Sequence, residues 1–165
     1  MTRKIQGMIL ALALAFPSMA HSQDFPYDQF EPTTLAAATH EFEAEIAGDQ
    51  PSDIVIEGPI FRRRVQAIYT GQHRATDPAT TSFYGYYEKA HSIQNPLGDV
   101  YHQTYLFQES GIDYWLPVQD QVATYFSKEL KPGDTIYLYL PAPGGYRRTD
   151  DWNWVFLVEE FDAKN

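Results

Sequence analysis

The first clear pattern of apolar positions along the chain has a helical period. Between residues 34 and 47, side chains on one helix face recur at Leu35, Thr39, Phe42 and Ile46. Thr33 or Thr34 can cap the start of this helix. From Ile54 onward apolar residues mostly alternate with polar ones, which is typical of strands. The pattern therefore predicts one helix followed by a mainly β region.

Five strands are predicted in the β region. They cover residues 54–70, 81–92, 100–110, 135–140 and 152–161. The first is interrupted at Gly58 and Pro59, and IDYWLPV briefly extends the third. Residues 71–80 and 141–151 are predicted loops. Tyr and Phe are abundant in these segments, which favours β structure.

A second helix is predicted between the third and fourth strands. It begins near Asp120 and carries apolar residues at helical spacing as far as Leu130. It ends at Pro132 and Gly133, because neither residue continues a helix. The segment LKPGDTIYLYL then leads directly into the fourth strand.

This order of elements resembles the OB-fold over about residues 60–161. The resemblance implies a five-stranded antiparallel barrel with a helix between strands 3 and 4, and the helix at 34–47 is an extra N-terminal element. It also implies ligand binding through the face of strands two and three and through the loops near 71–80 and 141–151. The alternative is an open antiparallel sheet with both helices on one side. Both faces of the last two strands are partly apolar, which favours closure.

The N-terminal residues have the layout of a secretory signal peptide. Arg3 and Lys4 precede an apolar run, and small residues follow at Ala20 and Ser22. We expect residues 1–22 to be a signal peptide, 23–33 an extended leader, and 34–165 a single OB-like domain with its N-terminal helix. The expected location is periplasmic or secreted, with no membrane insertion after cleavage.

Composition narrows the classes of partner. The chain has 12 Lys and Arg residues against 22 Asp and Glu, and its net charge of −10 becomes about −12 once Arg3 and Lys4 are removed. Because phosphate contacts dominate nucleic-acid affinity, nucleic acid is not an expected partner. No cysteine is present, so the export expected above would bring no disulfides.

The motifs of common catalytic sites are absent from the sequence. It contains no G-x-S-x-G, H-E-x-x-H or P-loop pattern. His40 and Glu43 on one helix are better explained as a solvated face than as metal ligands. We therefore predict no catalytic residue, no metal site and no cofactor, and the sequence favours a non-enzymatic role.

Aromatic and arginine side chains are the candidates for binding. Those chosen from the strands and the 141–151 loop are Tyr84, Tyr86, Tyr105, Tyr146, Arg147, Arg148, Arg62 and Arg64. The expected function is an exported non-catalytic binding module that engages an envelope protein or a glycan. One alternative is a small secreted enzyme acting on carbohydrate or cell-wall material through acids at 150–160. Another is a structural subunit of an envelope assembly.

Overall fold

The computed structural model describes residues 25–45, 52–91 and 96–163. The predicted signal peptide and Ile46 of the first helix lie outside these residues. The described chain is mainly β, with strands β1 Glu31–Thr33, β2 Ile54–Ala75, β3 Gln103–Glu109, β4 Ile112–Val118, β5 Thr135–Arg148, β6 Asp151–Val155 and β7 Glu160–Ala163. Its α-helices are α1 Leu35–Glu45, α2 Pro78–His91 and α3 Asp120–Glu129.

The strands form one sheet whose main order is β4-β3-β2-β5-β6. Neighbours along this order are antiparallel, β7 adds antiparallel to β5, and β1 adds parallel to β2. A single parallel bridge, Val118 to Val158, brings the end of β4 close to the chain beyond β6. The mainly β antiparallel prediction is confirmed. Closure into a barrel and the OB-like detail are not confirmed, because β4 and β6 are not paired with each other.

The longest element, β2, differs from its prediction. A break was expected at Gly58 and Pro59, but the strand continues through them to Ala75. The irregularity appears instead as a register shift against β5 between Ile56 and Phe61. A bulge-like shift accommodates the extra residues of β2 there without ending the strand.

The predicted second strand, residues 81–92, is wrong, because this segment is the helix α2. Asp77 caps it by accepting hydrogen bonds from the backbone amides of Ala79 and Thr80, and Pro78 occupies the first helical position. Its buried residues recur at helical spacing, at Thr80, Phe83, Tyr84 and Tyr87. Tyr84 and Tyr86 therefore belong to a helix and not to a binding strand.

The other boundaries also shift. The predicted loop at 71–80 is mostly strand and helix, and the predicted loop at 141–151 is largely β5, which ends only at Arg148. The final strand divides into β6 and β7, and IDYWLPV is a complete strand, β4. The helices α1 and α3 begin where they were predicted. In α1, Thr34 Oγ1 accepts the amide of Ala37 at 3.0 Å, so Thr34 is the cap.

Two groups of buried apolar side chains hold the described chain together. The main core joins α1 and α3 to the sheet, and its enclosed residues include Leu35, Val65, Phe107, Phe126, Ile136 and Leu138. The second cluster lies under α2 and consists of Phe83, Tyr84, Tyr87, Tyr101, Tyr146, Val155 and Leu157. In the described part of the chain, no helix combines the length and apolarity needed to cross a bilayer.

Candidate functional site

A cleft of about 270 Å³ lies where the two edge strands, β4 and β6, diverge. The end of β2 and the start of α2 complete its walls. Aromatic, hydroxyl and charged side chains line it, contributed by Arg74, Asp77, Thr80, Thr104, Asp113, Tyr114, Trp115, Pro117, Tyr146, Arg148, Asn153, Trp154 and Val155. The unclosed part of the sheet therefore contains a concave surface with both polar and aromatic lining.

Asp77, Thr80 and Tyr146 form a hydrogen-bonded chain at one side of the cleft. The Thr80 hydroxyl donates to Asp77 Oδ2 at 2.8 Å. Thr80 Oγ1 also lies 2.9 Å from the Tyr146 hydroxyl. Because a threonine hydroxyl has one proton, Tyr146 must be the donor in this second bond. The chain fixes the Tyr146 ring against the first turn of α2.

The surroundings determine the ionisation of Asp77 and Tyr146, the two ends of this series of hydrogen bonds. Burial opposes ionisation of Asp77, but hydrogen bonds from Thr80 and Ala79 and the nearby charge of Arg148 outweigh it and lower the pKa. Burial is the main cause of a raised pKa for Tyr146, partly offset by Thr80 and Arg148. At neutral pH the cleft thus contains an anionic Asp77 and a neutral phenol at Tyr146.

Gly144 determines which way Tyr146 faces. In a regular strand Ala142 and Tyr146 would lie on the same face. Here Ala142 belongs to the main core and Tyr146 to the second cluster. Gly144 has a φ of +136°, and a Cβ at this position would lie 2.1 Å from the carbonyl oxygen of Val55. Only glycine fits here, and it interrupts the alternation that would otherwise bury Tyr146 in the main core.

Two arginines, Arg74 and Arg148, line the cleft. The Arg74 guanidinium carbon lies 4.1 Å from the centre of the Trp115 ring, which is a cation–π contact. Arg148 is at the end of β5, opposite Asp151 in register. Both side chains are exposed. Among the described residues, neither arginine has a carboxylate within ion-pair distance.

Two buried polar atoms near the cleft have no hydrogen-bond partner within the described ranges. They are the indole Nε1 of Trp154, which lines the cleft, and the hydroxyl of Tyr84. Burial, followed by the negative charge of Asp77, raises the pKa of Tyr84. Tyr84 is therefore a neutral donor behind the Asp77 network.

The structure brings together only part of the predicted site. Tyr146 and Arg148 line the cleft, and Tyr84 lies buried behind it. Tyr146 was expected at an exposed loop tip, but it is 8% exposed because it packs beneath α2. Tyr105 is also largely buried, in the main core, with its ring 5.1 Å from that of Phe126.

The remaining predicted residues face other surroundings. Tyr86 is 53% exposed on α2, outside the cleft. Arg147 lies 3.9 Å from Asp53 and stacks over Trp152 at 5.1 Å, on the side opposite to Arg148. The two neighbouring arginines of the sequence therefore act on different faces of β5.

Arg62 and Arg64 do not join Arg147 and Arg148 in one cationic patch. Arg62 donates to Gln29 at 2.8 Å, and Arg64 lies 5.3 Å from the ring of Tyr137. Arg62 pairs in register with Pro141, seven residues before Arg148 on β5. At the usual rise per residue, this separation is roughly 20 Å.

The acids of the enzyme alternative are spread over separate places. Asp150 and Asp151 are exposed at the turn between β5 and β6. Glu159 lines a different cavity, of about 300 Å³, together with Tyr101 and Gln119. Burial raises the pKa of Glu159, and Arg62 partly opposes this shift. In the described chain, no three His, Asp or Glu residues converge as a metal site would require.

Several cleft residues were not identified from the sequence, notably Arg74, Asp77, Thr104, Trp115 and Asn153. One signal could have located Asp77. The pair Asp77-Pro78 before apolar residues spaced three and four apart is typical of a helix start. The others come from distant strands, and only the pairing of the sheet places them together. The chain matches no protein-family model, and no curated protein is detectably similar to it in sequence.

Proposed function

We propose that this protein is an exported, non-catalytic module that binds a saccharide in the cleft between β4 and β6. The observation that carries the proposal is the combination of an aromatic wall with fixed polar groups in one concavity. Trp115 supplies ring surface, while Asn153 and Arg148 supply hydrogen-bonding groups. Ligand sites usually combine apolar lining with a few oriented polar groups in this way.

A saccharide suits this cleft for two chemical reasons. Sugar rings present C–H faces that pack on an aromatic ring such as that of Trp115. Sugar hydroxyls both donate and accept, and the cleft contains groups of both kinds: the Asn153 side-chain amide does both, and Arg148 donates. The Asp77–Thr80–Tyr146 chain holds one wall in place, so little ordering would be needed on binding.

An OB-like plan is part of the same proposal. The order β4-β3-β2-β5-β6 and the Val118–Val158 bridge support it, as does α3 between β4 and β5. In that plan, β2 to β4 correspond to the first three strands. The cleft then lies between the face of the second and third strands and the connection that follows the fourth, where OB domains bind ligands.

Binding of oligosaccharides in solution tests the proposal. Wild-type protein should bind members of an oligosaccharide panel in calorimetry, and Trp115→Ala should weaken binding severalfold through loss of ring contact. Tyr86→Ala is the matched control, because Tyr86 is an exposed aromatic outside the cleft. Thermal unfolding must show that both variants fold. Equal loss in both variants would contradict the assignment, and release of new reducing ends would favour the enzyme alternative.

A protein partner is the second candidate, and one observation favours it. The edge strands β4 and β6 both border the cleft, and neither has a strand neighbour on its outer side in the described chain. Free strand edges accept an extended peptide through backbone hydrogen bonds. Such a partner would protect the backbone amides of residues 112–116, on β4, from hydrogen exchange. A saccharide would not give this pattern.

Export is proposed from the N-terminal sequence. Intact-mass measurement on protein from an exporting host should give a chain that begins at His21 or Gln23. Material that mostly retains Met1 would contradict it.

A further inference from the structure

Resting on the proposed saccharide site, we propose that the bound sugar is acidic and that Arg74 and Arg148 hold its carboxylate. The ligand class is thus a uronic or related sugar acid. Three features of the cleft carry this inference: two arginines that lack an ion-pair partner among the described residues, the contact of Arg74 with Trp115, and the hydrogen bonds that the neighbouring acids already make.

The first feature is the contrast with other arginines in an acidic chain. Arg63 pairs with Glu31 at 3.0 Å and with Glu41 at 2.9 Å. Arg147 has Asp53 at 3.9 Å. Within the described ranges, Arg62 and Arg64 also lack a carboxylate within ion-pair distance, but they contact Gln29 and the ring of Tyr137 instead. In the described residues, Arg74 and Arg148 have no carboxylate within ion-pair distance, although both line the same cleft.

The second feature is the stacking of Arg74 on Trp115. The Arg74 guanidinium carbon lies 4.1 Å from the centre of the Trp115 indole, and this contact limits the positions that its planar N–H edge can take. That edge matches the two oxygens of a planar carboxylate, which arginine binds through parallel hydrogen bonds. Less side-chain freedom is lost on binding because the ring already orients the guanidinium.

The third feature is that the acids of the cleft are already engaged. Asp77 accepts three hydrogen bonds from the first turn of α2. Asp113 accepts a 2.8 Å hydrogen bond from Gln108 Nε2. The guanidinium edges of Arg74 and Arg148 are thus the charged groups still open to a ligand.

A sugar with one acid group per ring fits better than a polyphosphate. The chain has a net charge of −10, so its overall field repels a dense polyanion. The side-chain amide of Asn153 remains available for hydroxyl groups. An acidic peptide has the same carboxylate but no ring hydroxyls, which makes it the competitor to test.

The experiment uses calorimetry with oligomers of galacturonic, glucuronic and mannuronic acid and with their carboxyl-reduced, neutral counterparts. At least one acid oligomer should bind at least about tenfold more tightly than its neutral counterpart, a difference of about 1.4 kcal/mol that one hydrogen bond to a charged group can supply. Arg148→Gln and Arg74→Gln should each abolish this preference, because each should weaken binding of the acid form far more than binding of the neutral form. Arg147→Gln is the matched control, because it lies on the same strand but faces away.

The outcomes separate the two proposals. Equal binding of the acid and neutral forms would overturn the acidic-sugar inference and leave the saccharide site standing. Binding of neither form would overturn both. Tighter binding of a poly-glutamate peptide than of every oligosaccharide would assign the arginines to an acidic peptide, which also overturns the inference. Thermal unfolding confirms that each variant folds.

Discussion

The carboxylate of Glu109 accepts a hydrogen bond from the backbone amide of Leu35 at 2.9 Å, across 74 residues of chain. Its other oxygen accepts the amide of Ala36 at 3.3 Å. Thr34 Oγ1 takes the next amide, that of Ala37. Glu109 on β3 thus completes the N-terminal cap of α1 and ties the helix to the sheet.

Replacing Glu109 should loosen this helix. Glu109→Ala removes the acceptor of two helix amides and should lower the free energy of unfolding by about 1–3 kcal/mol. Urea unfolding measures the change. Glu129→Ala, at an exposed position of α3, is the control and should change stability by less than about 0.5 kcal/mol. An unchanged midpoint for Glu109→Ala would show that the cap contributes nothing.

Two glycines should respond to substitution with opposite signs. Gly133 has a φ of +99°, so Gly133→Ala should destabilise by about 1 kcal/mol and Gly133→Val by more. Gly85 lies within α2 with open space at its Cβ position, so Gly85→Ala should stabilise by up to about 1 kcal/mol. Thermal unfolding of both variants checks the pair. Destabilisation by both would mean that α2 does not form as described.

The segment 81–92 shows why part of the fold escaped the sequence prediction. Its run of Phe and Tyr has high β propensity, which led to the strand prediction. The helical spacing of its apolar residues was also present in the sequence. The cap at Asp77 and the burial of one helix face against Tyr146 decide for the helix. By contrast, α3 was predicted correctly, because its period and its stop at Pro132 and Gly133 agree.

The candidate site was less predictable than the elements. Arg147 and Arg148 are neighbours with the same chemistry, and strand alternation separates them onto two faces. Which face reaches the cleft depends on Gly144, whose positive φ and close approach to Val55 admit only glycine. Such a contact between distant segments leaves no periodic signal in the sequence.

Asp77 should make the free energy of unfolding depend on pH in the acidic range. Its pKa is lowered in the folded state from an ordinary value of 3.8, so its contribution is complete above that pH. The contribution is lost as pH falls through the folded-state pKa. Asp77→Asn should therefore be less stable than wild type at pH 7, and the difference should shrink below about pH 3.8. A difference that stays constant with pH would contradict the role of the charge.

Glu159 should have the opposite effect. Burial raises its folded-state pKa above the ordinary 4.5, so the folded state resists ionisation. Stability should fall as pH rises from 4.5 through the folded-state pKa, because the unfolded chain ionises first. Glu159→Gln should thus be more stable than wild type at neutral pH and equal to it near pH 4. Denaturant titrations across this range measure the gap, and Glu160→Gln on β7 serves as the comparison.

The length of β2 has a consequence for how quickly the chain folds. Its 22 residues pair with β1, which precedes β2 in the chain, and with β3 and β5, which follow it. Ile54, near its start, pairs with Tyr146, 92 positions away. Long loops must close before these pairs form, and chains dominated by such pairs fold in milliseconds to seconds. Because β2 contributes to both apolar clusters, neither cluster can pack fully before this strand is in register. Refolding should therefore follow a single slow phase, which fluorescence from Trp115 and from Trp154 would both report.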